Sequence, residues 1–562
     1  MAVASKLYSE TVGPVTYPAR ANSEWRVKWL KNGVAKHLPS AWTDAIDLEA
    51  KRAASAGAVW EHDRLKGDAY AHWLTEYAGA DNADMSESDI RTRAEVLAAR
   101  AAAARFTALP DGSGAWPAWN RLCEFVQKYG GVIPKVAGRY RLESVRKRAE
   151  CPAWWRRQLR RYVAQCYERG AIELGRVGAD AKQWYCSDRA VVRRIQQVQA
   201  NEAAMRAANL ESASGQRMSV YDAAQLSTSN KAIRRGELMT RIRGCEQWAD
   251  SSGLVGLFTT NTCPSRFHSQ RKGGGKNPKY DGSTPADAQA WLCRTWAACR
   301  SKLARDGLSI VGFRVAEPHH DGCPHWHMLI WCRPEESERV QGVIRKWWLK
   351  DKGGERGAAE NRVNIKAMIS GQASGYVAKY ISKNIDDVYT TSHVDQDEAP
   401  GLTVGPDLFG EVEVLPCQRV EAWASLWRIR QFQAIGQPPV TVWREFRRVG
   451  HQEACGGSDA FVLAWGSCHR HREKLADWAG YIRHQGGVML ARGDYRFCVN
   501  RLEKARAGRY EKVVEKWGCG VVDRGRIASR SSPPSVRGGV GRALPRSAQR
   551  CLGRVSITVR AW

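Results

Sequence analysis

The sequence predicts an α+β protein: a central antiparallel sheet of the ferredoxin-like, split βαβ kind, preceded by mainly helical segments and followed by a basic, disordered tail. Three observations lead there. Residues 251–390 read in the order β-α-β-β-α-β and then a further helix. The 250 residues before them are Ala-rich and then strongly basic, with helix-forming composition. The last stretch, 524–562, has no acidic residue and carries nine arginines among Gly, Ser and Pro.

In chain order, residues 1–120 form an Ala-rich helical region whose clearest helix runs Glu95–Leu109 and is stopped by Pro110-Asp111-Gly112-Ser113-Gly114. Residues 121–250 are basic helices. Arg156, Arg157, Arg160 and Arg161 cluster behind Trp154-Trp155, and a second cluster spans Arg234–Arg243. Each is either a solvated helix face or a contact to a polyanion's backbone. In 251–390, Leu254–Thr262 reads as a strand and Asp287–Ala304 as a helix entered through Ser283-Thr284-Pro285. Leu308–Ala316 and His325–Cys332 read as paired strands, Glu335–Leu349 as a helix, Arg362–Met368 as a strand and Ser374–Asn384 as a helix. Such an order builds a sheet with one face covered by helices and the other free for a ligand. Residues 391–523 are a mixed accessory region, with loops at Pro438-Pro439 and Gly486-Gly487.

The chemistry concentrates in two strings. In Glu317-Pro318-His319-His320-Asp321-Gly322-Cys323-Pro324-His325-Trp326-His327, the last two histidines sit at i and i+2 on a strand. They therefore point the same way while Trp326 points into the core. Two imidazoles so placed can grip one divalent ion. Glu317 ends the preceding strand, nearly opposite His325 across the hairpin, and is the favoured third ligand; His319 and His320 are its rivals. A second H-x-H, His469-Arg470-His471, lies in a charged segment without apolar alternation and reads as solvated surface.

The second string is Gly375-Tyr376-Val377-Ala378-Lys379-Tyr380-Ile381-Ser382-Lys383. On a helix at about 100° per residue, Tyr380 lies about 40° from Tyr376 and Lys383 about 20° on its other side. Val377, Ala378, Ile381 and Ile385 fall between about 100° and 200°, so the core-facing stripe is a different face. Ordinary surface tyrosines would fit too, but Lys379 and Lys383 on the tyrosine side favour an anion-facing surface.

Composition agrees with a polyanionic partner. Lys plus Arg total 87 against 58 Asp plus Glu, a formal charge of +29 spread over the chain, which favours nucleic acid over a membrane surface. The 16 cysteines include no C-x-x-C, which predicts reduced thiols. No apolar leader or stretch of about 18 apolar residues occurs, so a cytoplasmic location is expected. G-x-x-x-x-G-K-[ST] is absent, so no nucleotide-driven motor is expected.

These strings, with Phe258-Thr259-Thr260-Asn261-Thr262-Cys263-Pro264-Ser265-Arg266-Phe267-His268 upstream and Arg419–Trp427 and Ile429–Gln433 downstream, resemble the replication gene A protein family of tailed phages and prophages, within the HUH endonuclease superfamily. The resemblance covers most of residues 150–490. It implies a metal-dependent rolling-circle initiator that nicks one strand at an origin, keeps the 5′ phosphate as a phosphotyrosine and frees a 3′ hydroxyl as primer. Tyr376 and Tyr380 would then be the nucleophiles, with Lys383 assisting. Glu317, His325 and His327 would hold Mg²⁺ or Mn²⁺, and Arg266, Lys379 and the 156–161 arginines would meet origin DNA. A host helicase would unwind the duplex, and residues 391–523 would contact DNA or host replication proteins. A transfer relaxase or single-strand transposase with the same chemistry, and a catalytically idle DNA-binding protein, are the alternatives. Cys323 departs from the family, which has a small hydroxyl residue there, and residues beyond about 525 match nothing in it.

Overall fold

The computed structural model describes residues 85–106, 115–133, 141–179, 183–211, 217–371, 402–404, 412–414, 416–470, 475–507 and 512–524, together with Thr43 and Gly375. The chain splits into two compact units. One comprises Met1–Ala190, Ser269–Asn277 and Arg506–Val513; the other comprises Val191–His268, Pro278–Ala505 and Val514–Trp562.

In the first unit, helices α1 (Glu87–Ala103), α2 (Ala115–Lys128), α3 (Arg141–Ala149) and α4 (Pro152–Glu173) share one apolar core. Helix α1 begins eight residues before the expected Glu95. Ser86 and Asp89 form a capping box there, each side chain accepting the other's backbone N–H, at 3.2 and 3.0 Å. Its expected stop at 110–114 lies outside the described residues. Ile90, Ala94, Leu97 and Ala101 recur at helical spacing and join Trp155, Leu159 and Val163 of α4 in that core. Trp154 and Trp155 are thus core residues, their rings 4.9 Å apart edge to face.

The second unit carries the sheet. Helices α5 (Asp188–Ala207, which begins in the first unit) and α6 (Lys231–Ser251) lead into β1 (Val255–Asn261), α7 (Pro285–Arg305), β2 (Val311–Pro318), β3 (Pro324–Cys332), α8 (Ser337–Trp348) and β4 (Val363–Met368). The expected β-α-β-β-α-β order is present. After it come α9 (Pro416–Trp427), β5 (Phe432–Ile435), α10 (Val440–Phe446), α11 (Asp459–Cys468) and α12 (Trp478–His484). The strands lie in the order β4-β1-β3-β2-β5, every neighbouring pair antiparallel. Residues beyond 390 are therefore part of this sheet: β5 adds an edge strand beside β2.

Both central strands, β2 and β3, are buried along their whole length. On one face Trp326 packs beneath α7 and α8, its indole N–H donating to Gln289 Oε1 at 3.0 Å and its ring 6.4 Å from that of Trp348. The buried Arg314 guanidinium lies 3.9 Å from the Trp326 ring centroid, a cation–π contact. The expectation that the other face would stay open is corrected. Leu238, Ile242, Cys245 and Ala249, one stripe of α6, pack on Val311, Phe313, Leu329 and Trp331. That helix carries basic residues on its other sides, which hid its role as a lid on the sheet. Only the end of this face beyond Leu329 is left for the histidines.

The segment around the second H-x-H also differs from expectation. His469 Nε2 lies 2.9 Å from the Phe446 carbonyl oxygen and its ring stacks on Trp465 at 4.2 Å, so this histidine closes α11 rather than facing solvent. His471 lies outside the described residues.

Candidate metal centre on the β2–β3 hairpin

The β2–β3 register places Glu317 directly opposite His325 and Pro318 opposite Pro324. The turn is thus five residues, His319–Cys323, closed by the Cys323 carbonyl accepting from the His319 amide at 2.8 Å. Gly322 sits in it at φ +82°, a conformation that a side chain would strain. Because side chains alternate along β3, His325 and His327 emerge on one face with Glu317. Their Nε2 atoms stand 2.9 Å apart, and Glu317 Oε2 is 3.9 Å from His327 Nε2. One ligand atom from each of the three fits within a 4.8 Å cluster.

The donor set fits a divalent cation. Two nitrogens each about 2.1 Å from a common ion and roughly 90° apart lie about 3 Å from one another. All three residues are at most 9 % exposed, so their polar atoms are withdrawn from bulk water and turned toward each other. His327 is further oriented by Thr260 Oγ1, 3.1 Å from its Nδ1, which turns Nε2 toward His325. Phe258 stacks on the same ring at 5.5 Å and 14°. Thr260 and Phe258 are neighbours of His327 and Leu329 in the β1–β3 register, a role that their alternation within the upstream string allowed.

Behind Glu317, His325 and His327 lies a second tier. The His319 ring sits 4.1 Å from that of His325 and 5.1 Å from that of His268. Burial, reinforced by the neighbouring imidazoles, holds His319 well below its usual range, so it is neutral. His268 Nδ1 meets Asp321 Oδ2 at 3.1 Å, and Asp321 Oδ1 accepts the Cys323 amide at 3.0 Å. Burial opposes ionisation of Asp321, but the charge and hydrogen bond of His268 outweigh it and leave the carboxyl well below the carboxylate range. The hairpin tip is fixed from a third side. The indole N–H of fully buried Trp423, on α9, donates to the Gly322 carbonyl at 2.8 Å. Trp423 lies in the downstream string of the family resemblance, and its spacing alone carried no sign that it touches the site.

The other sequence-predicted residues are placed as follows. Arg266 is engaged by Asp281 at 3.2 Å and Asp351 at 3.0 Å, and stacks on Phe267. Arg156 and Arg160, in the first unit, share Glu87 at 2.9 and 2.5 Å. Arg157 is exposed and Arg161 half-buried on the same helix. Tyr376, Lys379, Tyr380 and Lys383 lie outside the described residues, as does the tail from 525 onward.

The fold is thus α+β, with an antiparallel sheet that brings two imidazoles and a carboxylate together at one hairpin, a donor set that could hold a divalent ion. The chain belongs to the bacteriophage replication gene A protein (GPA) family, whose sequence model matches residues 61–388. It is 40 % identical over 347 residues to the replication gene A protein of Escherichia phage 186, covering 61 % of this chain and 48 % of that protein. It is 35 % identical over 374 residues to the replication gene A protein of Escherichia phage P2, covering 65 % and 47 %. It is 33 % identical over 351 residues to a probable replication endonuclease from a prophage-like region of Salmonella typhimurium, covering 61 % and 42 %. The aligned part is about half the length of the two phage relatives. No solved structure matches the chain. Among the described residues no helix is long and apolar enough to cross a membrane.

Proposed function

We propose that the chain is a phage or prophage rolling-circle replication initiator: a metal-dependent, two-tyrosine endonuclease and strand-joining enzyme of the HUH type on a ferredoxin-like sheet. The convergence of Glu317, His325 and His327 in a chain of the replication gene A family carries this reading. Names of relatives that include a replication endonuclease support it.

In this reading Glu317, His325 and His327 hold Mn²⁺ or Mg²⁺, the two imidazoles favouring Mn²⁺. The bound ion draws negative charge off the scissile phosphate. A phenol with a pKa of about 10 is a weak nucleophile at neutral pH, so Lys383 adds positive charge where the phosphate gains negative charge. The hydroxyl of one tyrosine attacks phosphorus and loses its proton. The bond to the 3′ oxygen breaks, that oxygen takes a proton, and the 5′ phosphate stays on the tyrosine. The 3′ hydroxyl is the primer. After one round the other tyrosine repeats the attack on the regenerated origin, and the first phosphotyrosine is resolved by a 3′ hydroxyl, closing the displaced strand. Tyr376 and Tyr380 are four residues apart in the sequence, a spacing that on a helix would let both serve one phosphate in turn. Unwinding is left to a host helicase, since the sequence has no phosphate-binding P-loop. The test is nicking of supercoiled origin DNA with Mn²⁺ by the full chain and by Glu317→Gln. Nicking by the wild type with loss in the variant is expected; equal nicking by both would reject the site.

A further inference from the structure

Helix α6 has two opposed faces. Leu238, Ile242, Cys245 and Ala249 bind the sheet. Gly236, Thr240, Arg243 and Gln247, also at i, i+4, i+7 and i+11, lie about 160° around the helix and line a groove of about 1000 Å³. Its other wall is the chain around Arg470 and from Leu475 into α12, with Arg447 and Arg483 on its rim. The walls are fastened together. Gly244 lets α12 approach so closely that an added Cβ would lie 2.5 Å from the Trp478 Cβ and 2.8 Å from the Ala479 nitrogen. Arg444 of α10 clamps Glu237 of α6 through two hydrogen bonds, 2.6 and 2.8 Å.

Arg243, Arg447, Arg470 and Arg483 are all exposed, and none makes an ion pair among the described residues. Asp477 is the carboxylate lining the groove, and its Oδ1 is committed to the Gly480 amide at 2.8 Å as the cap of α12. Four guanidiniums line the groove against the single carboxylate of Asp477, so among the described residues positive charge is in excess there and favours an anion between them. Protein partners would call for a string of carboxylates; a nucleic-acid backbone supplies one charge per nucleotide at regular spacing.

We infer that this groove binds the phosphate backbone of DNA, as a sequence-independent anchoring site on the outer side of α6, the helix that packs on the sheet. Its C-terminal wall, from Arg447 to Arg483, lies beyond the family match at 61–388. The inference rests on the reading of the chain as a DNA-handling enzyme, but not on its nicking activity.

The test measures binding of the full chain to labelled oligonucleotides by fluorescence anisotropy, without metal, over a series of salt concentrations. It compares the wild type with the fourfold variants R243A/R447A/R470A/R483A and R243K/R447K/R470K/R483K, each checked for an unchanged thermal midpoint. Single-stranded and duplex arms of several sequences tell which form of DNA the groove holds. If all four arginines meet phosphates, the slope of log K against log salt becomes shallower by about 3 in the alanine variant, from about 0.7 per contact on single strands or 0.9 on duplex. Affinity should fall at least tenfold, equally for every sequence, while the lysine variant keeps most of the slope. A folded alanine variant with unchanged slope on both arms would overturn the inference, including in the event that it loses affinity for an acidic peptide. Loss in only one sequence would overturn it as an anchoring site. A variant dead in nicking at His325 must still show the wild-type slope, which separates failure of the groove from failure of the proposed chemistry.

Discussion

His327 is held from two sides: Thr260 Oγ1 fixes its Nδ1 at 3.1 Å and Phe258 stacks on its ring, so only Nε2 is left to face Glu317 and His325. Removing the hydroxyl while keeping the shape, Thr260→Val, should weaken Mn²⁺ binding by about 10–100-fold in calorimetry. The thermal midpoint measured in chelator should stay close to the wild-type value; equal affinity in the variant would deny Thr260 an orienting role. His325→Ala and His327→Ala should abolish nicking and leave DNA affinity nearly intact, since the basic surface is untouched. His469→Ala should nick normally and lose stability instead, because His469 caps α11 against the Phe446 carbonyl. Nicking by His325→Ala alongside a dead His469→Ala would reverse the site assignment. At this scale the clustering of Glu317, His325 and His327 was legible because side chains alternate strictly along a strand. The supporting Asp321, His268 and Trp423 were not, since hydrogen bonds across loops leave no period in a sequence.

Helix α9 connects the hairpin to the helices behind it. Its Trp423 grips Gly322, while Glu421 receives Arg194 from α5 and Lys231 from α6, each at 2.7 Å. Burial pushes the Glu421 carboxyl up, but the hydrogen bonds and charges of Lys231 and Arg194 together outweigh it and leave the group below its ordinary value. A carboxylate with a depressed folded pKa binds fewer protons folded than unfolded, so its stabilisation is present above the unfolded value of about 4.5 and is lost as pH falls through the folded one. Glu421→Gln should therefore lower stability at pH 7 by on the order of 1 kcal/mol, after discounting for partial exposure. The gap to wild type should close as pH falls from the unfolded value through the lower folded one. A gap that persists in acid would point to packing instead. Element types through 251–368 were legible from apolar periodicity and from the Ser283-Thr284-Pro285 entry, where Thr284 forms a capping box with Asp287. The attachment of β5 and α9 to the sheet was not, because edge pairing is set by tertiary contact rather than local pattern.

At the scale of the whole molecule, charge and chemistry are separable. The formal charge of +29 is distributed over both units and the tail, whereas the candidate metal centre is one buried hairpin. Arg524, which the sequence reading placed at the start of the tail, is tied to the fold: its amide donates to the Arg496 carbonyl at 2.9 Å. Truncation should therefore begin after it. Removing residues 525–562 should weaken binding about equally for all DNA sequences and flatten its salt dependence, because arginine–phosphate contacts release counterions without reading bases. Loss of origin selectivity with total affinity unchanged would contradict that role. In the proposed function, two tyrosines take the DNA strand in turn on a phosphate held at the Glu317–His325–His327 centre. The most direct measurement incubates the full chain with Mn²⁺ and end-labelled origin strand, resolves covalent adducts on a denaturing gel and maps the modified peptide by mass spectrometry. An adduct on Tyr376 or Tyr380 is expected, formed by at least one of Tyr376→Phe and Tyr380→Phe and not by the double variant. An adduct that survives in the double variant and maps to another residue would contradict it.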